Sequence, residues 1–396
     1  MSLPPMPHTS TLTDLKVNRG DSETLYYDGK ILVVSGYGGA LASHNLDKVE
    51  GMTVGRCDGL FPEELDGSFV FCSVKSLKLD VSHLTSSKSS SSKVFNCFPA
   101  LSVLEINGYE ECVMQFPSSR SLQELIFWEC KGLVLVPVEK ENGGGIQEDK
   151  SLLQSLTIKG CGNLFSRWPM GMGESKTIYP FPASLRELYV EEEPSMKSMA
   201  LLSNLTSLTT LRLEKCSNLT VDGFNPLIAG NLIELKVCGC NTLATDLLSE
   251  VASQRTKLLP AGYISRLEKL TVDNFCGLFT APICSLLAPA LHTLEFQYAM
   301  MESFTEEQDK ALQLLTSLQK LVFLYCWCLQ SLPQGLHHLS SLKELCVFVC
   351  PRIQSMPKEG LPVSLRKLVM DGCTAEIDEQ IEKIKRTSPD LSVEDY

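Results

Sequence analysis

Positive charge is scarce in this sequence. Of its 396 residues, 35 are Lys or Arg and 47 are Asp or Glu, so the formal net charge is −12. Proteins that bind nucleic acid need a basic surface to meet the phosphates, and this composition therefore disfavours a nucleic-acid partner. Net acidity otherwise favours solubility and indicates little about the fold.

The sequence also lacks the apolar segments that membranes and secretion require. It contains no run of about 18 apolar residues that could span a bilayer. Residues 1–10, MSLPPMPHTS, have neither the basic start nor the apolar run of a signal peptide. We therefore expect a cytoplasmic protein with no membrane partner.

A catalytic or cofactor site has little support. The six histidines fall at no spacing that would place two on one face beside a carboxylate or a cysteine. The glycine-rich segments 29–45 and 168–177 only partly match a phosphate-binding loop, since no helix signal follows the first and Ser175 replaces a required glycine in the second. We interpret both as loops, together with the polar segments 82–93 and 139–150. We expect no cofactor, no metal and no enzymatic activity.

What the sequence does contain is a repeated leucine pattern. Residues 318–333 and 342–357 carry the same arrangement 24 residues apart, L-x-x-L-x-[LVF]-x-x-C followed by Leu or Met and then Pro. This is close to the leucine-rich repeat consensus, in which Asn or Cys takes the turn position. Similar units begin at Leu12, Val49, Val74, Leu101, Leu122, Leu153, Leu185, Leu208, Leu232, Leu267, Leu291, Leu318, Leu342 and Leu365.

The periods inside each unit predict its structure. We number positions from the first residue of the unit, which is position 0. The apolar residues at positions 3 and 5 alternate with mostly polar neighbours, as in a strand with one buried face. No unit can bury these residues alone, so the units must stack and share a core. The sequence therefore predicts an α/β solenoid, a leucine-rich repeat horseshoe with a parallel concave sheet and an irregular or short-helical convex side.

The predicted organisation is one elongated domain with a cap. Residues 1–373 form the solenoid of about 14 repeats, which is least regular before residue 45. Residues 374–396 form the cap, because Thr374–Arg386 carries an isoleucine stripe opposite charged residues, and Pro389 then ends the helix. A polar-faced terminal element covers the last apolar surface of an open solenoid. The first repeat follows Met1 almost immediately, without a cap, which suggests a piece of a longer protein or a truncated gene product.

Half of the sixteen cysteines occupy position 8, namely Cys57, Cys130, Cys161, Cys216, Cys240, Cys326, Cys350 and Cys373. There a small side chain can be interior while its thiol bonds weakly to turn backbone groups. Strands about 4.8 Å apart would allow stacked cysteines to be oxidised, so geometry leaves disulfides open. The missing export signal favours free thiols. A zinc site at Cys326, Cys328, Cys346 and Cys350 is disfavoured, since the repeat frame makes these side chains diverge.

The concave face is the candidate functional surface, because the side chains at positions 2, 4 and 6 point to it. Most of these residues are polar, but two groups are not. The first comprises Ile126, Trp128 and Tyr189, and the second comprises Val322, Leu324, Cys346, Phe348 and Val369. Exposed apolar patches usually mark binding surfaces, with aromatic residues carrying much of the energy. The alternative is that other parts of the protein cover them. The run Glu191–Glu193 is interpreted as a solvated rim.

The spacing of Cys, Leu and Pro in residues 326–345 resembles the repeat region of plant intracellular immune receptors, as does the segment GLPVSLRKLVMDGC at 360–373. These are the nucleotide-binding leucine-rich-repeat disease-resistance proteins, here most like those of grasses. The resemblance covers nearly the whole chain and is weakest before about residue 45.

The resemblance implies a module that senses a pathogen effector or a guarded host protein on its concave face. It also implies restraint of a nucleotide-binding domain in the same or a paired receptor. The sequence has no phosphate-binding loop, so the resemblance does not imply that this chain binds ATP. It implies only the sensing scaffold, with the two apolar groups as the positions that contact the ligand. The alternative is a substrate adaptor of a ubiquitin ligase, which requires an F-box-like helical segment, and residues 1–73 do not look helical.

Overall fold

The chain has a leucine-rich repeat fold in two compact units, Met1–Lys197 (unit 1) and Ser198–Tyr396 (unit 2). The structure is a computed structural model that describes residues 15–19, 23–28, 30–36, 48–55, 71–80, 95, 97–117, 120–137, 151–168, 179–254, 265–275 and 277–395. Cys57, Gly38 and Gly39, the polar segments 82–93 and 139–150, and residues 169–177 lie outside these ranges. The interpretation of those segments as loops therefore stays a prediction.

Unit 1 is built on one main sheet, whose strands run parallel from β3 onward. Two further short strands, β7 and β9, pair with each other in a second parallel sheet. The strands of unit 1 are β1 Leu15–Arg19, β2 Glu23–Tyr27, β3 Ile31–Ser35, β4 Gly51–Val54, β5 Ser76–Asp80, β6 Val103–Asn107, β7 Cys112–Gln115, β8 Glu124–Trp128, β9 Leu133–Val136, β10 Ser155–Lys159 and β11 Glu187–Glu191.

Unit 2 continues the same plan with one parallel strand per repeat. Its strands are β12 Thr210–Glu214, β13 Glu234–Cys238, β14 Lys269–Val272, β15 Thr293–Gln297, β16 Lys320–Leu324, β17 Glu344–Phe348, β18 Lys367–Asp371 and β19 Ser392–Asp395. Short 3-10 helices occupy Met199–Leu202, Pro226–Gly230 and Gln334–His338. The α-helices are α1 Leu243–Gln254, α2 Ala281–Leu287, α3 Glu306–Leu312 and α4 Ala375–Thr387.

The residues at positions 3 and 5 form the core, as the two-residue period predicts. In β16 these are Leu321 and Phe323, which are both fully buried. Between the strands and the helical segments, five phenylalanines of neighbouring repeats pack together: Phe275, Phe279, Phe296, Phe304 and Phe323. Ring centroids of Phe275 and Phe304 lie 4.4 Å apart. The hydrophobic interior is thus continuous from one repeat to the next, which is the condition for stacking.

The chain leaves most strands through a residue in the left-handed backbone region at position 7. Six of these residues are not glycine, with φ between 52° and 58°: Glu129, Glu192, Lys215, Tyr298, Tyr325 and Val349. This conformation is uncommon for any side chain and a true outlier for a β-branched one. The backbone N–H compensates by donating to the next strand, as Tyr325 does to Phe348 O at 2.9 Å and Val349 to Asp371 O at 2.7 Å.

The first strands depart from the predicted parallel stack. Strands β1, β2 and β3 are joined antiparallel, and only β3 pairs in parallel with the next repeat, Leu32 lying opposite Met52. The interpretation of residues 29–45 as a loop is therefore wrong for Ile31–Ser35. This segment is a repeat whose position 0 falls on Gly29, so the search for an apolar residue at position 0 missed it. Gly36, with φ of 67°, takes the position-7 turn.

At the C-terminal end, α4 lies where the isoleucine stripe predicts a helix, and it buries Ile377 and Ile381. The repeat rhythm nevertheless extends beyond Cys373. Strand β19 pairs in parallel with β18, with Val393 opposite Leu368. The sheet of unit 2 therefore has one strand more than the leucine pattern indicates.

The position-8 cysteines bond as predicted. Cys130, Cys161, Cys216, Cys240, Cys326 and Cys350 are buried, Cys373 is half-buried, and none of the cysteines in the described ranges forms a disulfide. The Sγ of Cys350 lies 3.4 Å from the carbonyl oxygen of Phe348 and 3.8 Å from that of Phe323 in the preceding repeat. The thiols of Cys130, Cys240 and Cys326 make the same two contacts, so each ties the end of its own strand to the preceding repeat.

The run Glu191–Glu193 is the predicted solvated rim only at Glu192, which is exposed. Glu193 is fully buried and Glu191 is nearly so. The Glu193 carboxylate accepts hydrogen bonds from the N–H groups of Gly162 at 2.9 Å and Ser195 at 3.2 Å, and from the Ser195 hydroxyl. It satisfies turn N–H groups that would otherwise be buried without a partner. Burial raises the pKa of Glu193, against the opposing effect of these hydrogen bonds.

The different exposure of the cysteines predicts different rates of alkylation. Brief treatment of the native protein with iodoacetamide should modify the exposed Cys72 and the half-buried Cys328 at least about tenfold faster than the buried Cys350. The hydrogen bond with Cys326 and burial both raise the pKa of the Cys350 thiol, which depletes its reactive thiolate. Peptide mass spectrometry over time measures the rates, with urea-unfolded protein as the control. Equal rates for Cys72 and Cys350 in native protein would contradict this arrangement.

The raised pKa of Glu193 predicts that the stability of the folded chain depends on pH. Because its pKa is raised, the folded state binds the proton more tightly than the unfolded chain does. The resulting stabilisation is complete below the unfolded pKa of about 4.3 and is lost as the pH rises through the folded pKa. The unfolding free energy of the wild type relative to Glu193→Gln should therefore fall as the pH rises above about 4.3.

Urea denaturation at several pH values measures this difference. Glu187→Gln, which removes an exposed carboxylate on β11, the strand that precedes Glu193, is the control for the loss of a surface charge. The assignment fails if the Glu193→Gln difference is constant or increases with pH.

Candidate functional site

The open face of each sheet carries the side chains at positions 2, 4 and 6, opposite the core. It is the surface that the sequence predicts to be concave. Strand pairing arranges these side chains in rows, since equivalent positions of neighbouring repeats lie directly opposite one another. All eight predicted contact residues lie in such rows, three in unit 1 and five in unit 2.

The unit 1 group lies on β8 and β11, with β10 between them. Ile126 and Tyr189 share the position-4 row and are separated in it by Thr157. Trp128, 42% exposed, lies in the position-6 row with Lys159 and Glu191. The structure therefore brings the three residues to one face but does not make them a continuous apolar patch.

Charged groups that the sequence pattern did not single out tie this group together. The Lys159 Nζ lies 4.9 Å from the Trp128 ring centroid and 3.0 Å from a Glu191 carboxylate oxygen. The Tyr189 hydroxyl donates to the same oxygen at 2.6 Å. One face of the indole is thus engaged by a cation that also pairs with Glu191, so this is a polar-aromatic surface.

The unit 2 group forms a true cluster, which we call the basin: Val322, Leu324, Cys346, Phe348 and Val369. Val322, Cys346 and Val369 are neighbours in the position-4 row of β16, β17 and β18, and Leu324 and Phe348 are neighbours in the position-6 row. Leu324 and Phe348 pack against the other three. The sequence thus located an apolar cluster correctly across three strands.

The exposure predicted for the basin is wrong for three of its residues. Val322, Cys346 and Val369 are only 7%, 4% and 3% exposed, while Leu324 and Phe348 are half-buried. The long side chains of the position-2 row lie along one side of this narrow row. Leu324 and Phe348 lie along the other side. The row is therefore a floor, and Leu324 and Phe348 are the accessible part.

A hollow of about 530 Å³ lies over the basin. Besides the basin residues, it is lined by five charged side chains: Glu295, Lys320, Glu344, Lys367 and Glu394. Lys320 pairs with Glu344 at 2.8 Å and Lys367 with Glu394 at 2.9 Å. The leucine pattern does not single out these residues, although the alternation of Lys320, Glu344 and Lys367 at position 2 is visible in the sequence.

Electrostatics keep the floor apolar and the rim charged. The hydrogen bond to Glu344 raises the pKa of Lys320, and the hydrogen bond to Glu394 raises that of Lys367, so both stay cationic at neutral pH. Burial raises the pKa of the Cys346 thiol, which therefore stays neutral. An entering side chain would meet an apolar surface bordered by charged side chains.

Elsewhere in unit 2 the open face is polar and internally paired. Arg212 and Lys269 both contact Glu234, at 3.2 and 3.3 Å, and Lys236 pairs with Glu214 at 3.0 Å. Burial alone would raise the pKa of Glu234, but the two cations hold it below its usual range. These charged side chains pair with one another across the strands, so the basin is an apolar interruption of a polar face.

A second hollow, of about 810 Å³, lies away from the open face. It separates α4 from the segment that leads into β18 and is lined by Pro357, Pro362, Val363, Ile384 and Pro389 among others. Val363 is 96% exposed, so this hollow opens to solvent. It brings together no row of equivalent positions, unlike the basin.

The described residues contain neither a metal-binding cluster nor a membrane-spanning helix. Within the described residues no three His, Cys, Asp or Glu side chains come together in a way that could hold a metal ion. No helix in that part of the chain has the length and apolar character needed to cross a bilayer.

Comparison with known proteins adds little beyond the geometry. No protein-family model matches the chain, and no curated protein matches it. Among solved structures, a leucine-rich repeat protein of Leptospira interrogans is 15% identical, with 88% of this chain and 91% of that chain covered and a TM-score of 0.36. So distant a likeness carries no argument about function. The leucine-rich repeat fold is seen directly in the strands, core and turns, and such repeats typically present extended protein-binding surfaces.

Proposed function

We propose that this chain is a non-enzymatic protein-recognition module and that the basin is its principal contact site. The observation that carries this proposal is the change in the position-4 row. There Arg212, Lys236, Thr271 and Glu295 give way to three consecutive apolar residues in β16, β17 and β18. Aromatic and aliphatic anchors in a preformed hollow are the usual centre of a protein interface.

The energetics favour binding at this place. The floor is already packed, so a ligand side chain entering the hollow loses its own freedom but orders few groups of the protein. Contact with Leu324 and Phe348 would complete the burial of two partly exposed apolar side chains. Each Å² of apolar surface removed from water contributes roughly 25 cal/mol to the free energy of binding. The charged rim would fix orientation, which gives specificity more than affinity.

We further propose that the module is the sensing region of a plant intracellular immune receptor, acting in the cytoplasm. The support is the resemblance of residues 326–345 and 360–373 to that family, and residues 360–373 include strand β18. In this proposal a pathogen effector or a guarded host protein occupies the open face. Occupation releases a nucleotide-binding domain of the same or a paired receptor from restraint.

The reading frame upstream of the Met1 codon tests this receptor context. A nucleotide-binding domain encoded in frame would support the receptor assignment. An F-box-like helical domain in that place would contradict it and favour the ubiquitin-ligase adaptor. Neither result depends on the basin, so the recognition proposal has its own test.

That test is a double substitution, Leu324→Asp with Phe348→Asp. The probe is a set of peptides selected from a displayed random 12-residue library on the purified wild-type chain. The double variant should bind the selected peptides at least about 100-fold more weakly, since two carboxylates would replace the accessible apolar anchors. Both side chains are half-buried at the surface of their cluster, so circular dichroism should be unchanged.

The matched control is Ser207→Asp with Thr210→Asp, which adds the same two charges to unit 2 at and beside β12. It should retain binding. Selected peptides that bind the Leu324→Asp, Phe348→Asp variant as tightly as the wild type would eliminate the basin as the site. A library that yields no binder to the wild-type chain would count against recognition itself.

A further inference from the structure

The charges around the basin are not balanced. Lys320 and Lys367, the two cations that line it, are each held by a glutamate at less than 3 Å. Two carboxylates beside the basin have no ion-pair partner in the described part of the chain, Glu295 on β15 and Asp371 on β18. Glu295 accepts a hydrogen bond from the neutral Gln297 side chain, which does not neutralise it.

These two carboxylates flank the basin on opposite sides. Glu295 lies opposite Val322 at the first edge, and Asp371 lies opposite Phe348 at the last. By strand alternation both side chains point to the open face, since they occupy positions 4 and 6 of their repeats. A ligand that crosses the basin would therefore meet an apolar centre with uncompensated negative charge at each end.

The spacing fits an extended segment. From β15 to β18 there are three strand intervals of about 4.8 Å and one two-residue step along the strand, which gives a diagonal of about 16 Å. In an extended ligand, residues i, i+2 and i+4 face the same way and the outer two are about 13 Å apart. The length of Lys or Arg side chains covers the remaining few ångströms.

We propose that the basin binds an extended protein segment with the pattern basic-x-apolar-x-basic. The apolar side chain rests on Leu324 and Phe348, and the flanking cations pair with Glu295 and Asp371. This inference rests on the proposed function, because it names the ligand chemistry of the same site. An acidic flank would instead face two carboxylates at the edge of a partly desolvated hollow, where like charges are costly. The net charge of −12 also attracts a cationic segment at long range.

Synthetic peptides test the pattern directly. The probe is a fluorescein-labelled peptide with the central sequence Arg-Thr-Phe-Thr-Arg, compared with Glu-Thr-Phe-Thr-Glu and with Arg-Thr-Ser-Thr-Arg. Fluorescence polarisation with the full chain at low salt should show at least about tenfold tighter binding of the first peptide than of either other. Its affinity should fall as salt is raised, because the rim charges are exposed to solvent.

Chain variants assign the binding to this site. Glu295→Gln with Asp371→Asn should weaken the Arg-Thr-Phe-Thr-Arg peptide about tenfold or more, and it should not weaken Glu-Thr-Phe-Thr-Glu, which has no cation to pair with these carboxylates. The control is Glu307→Gln with Glu359→Gln, which removes two exposed carboxylates of unit 2 that do not line the basin and should have no effect. Leu324→Asp with Phe348→Asp should also abolish the preference for phenylalanine over serine.

The outcomes separate this inference from the proposed function. If library-selected peptides need Leu324 and Phe348 but carry no basic flanks, the recognition proposal stands and the basic-x-apolar-x-basic pattern is wrong. If Arg-Thr-Phe-Thr-Arg binding survives the Glu295→Gln, Asp371→Asn variant, or falls equally in the Glu307→Gln, Glu359→Gln control, the two carboxylates are not the contacts and the inference is overturned. Failure of the wild-type chain to bind that peptide overturns it too.

Discussion

The structure depends on one constraint, that a single repeat cannot bury its own apolar side chains. Leu321 and Phe323 of β16 are fully buried only because the equivalent residues of β15 and β17 lie on either side of them. The core is therefore a property of the neighbours and continues from repeat to repeat. The turns follow the same logic, since the N–H of Val349, held in an unfavourable backbone conformation, is satisfied by the next strand. Backbone strain at these turns is tolerated because stacking supplies the hydrogen bond.

The predictability of the fold follows from this constraint. The pattern of positions 3 and 5 is repeated so often that the strands and their buried faces can be read from it, as in β16 and β17. It fails where the local chemistry changes. The repeat that contains Ile31–Ser35 has glycine at position 0, and β19 follows a helix, so neither carries the full leucine signature. Pairing with a neighbouring strand completes both, and one sequence read alone does not show that partner.

The burial of side chains that the repeat pattern places at the surface was harder to predict. Glu193 reads as part of a surface charge run, yet its carboxylate closes the hydrogen bonds of Gly162 and Ser195 in two successive turns. Val322 and Val369 read as exposed because they occupy an outward position, yet neighbouring side chains on the same face cover them. In both cases a position in the repeat fixes the direction of a side chain but not what surrounds it. That depends on residues about one repeat away in sequence, as Gly162 is from Glu193.

The basin differs from the rest of the open face in a way that stability alone does not explain. Across β12 to β14, Arg212, Glu234 and Lys269 show that paired charges suffice to cover the sheet. A cluster that served only to stabilise the sheet would be expected to bury its largest member, yet Phe348 stays half-exposed above a floor that is already closed. Its neighbours Lys320 and Lys367 are held by glutamates on adjacent strands and do not neutralise Glu295 or Asp371. Among the described residues, an aromatic ring and two carboxylates without an ion pair thus lie on one face, and an apolar segment with cations on both sides would complement this arrangement.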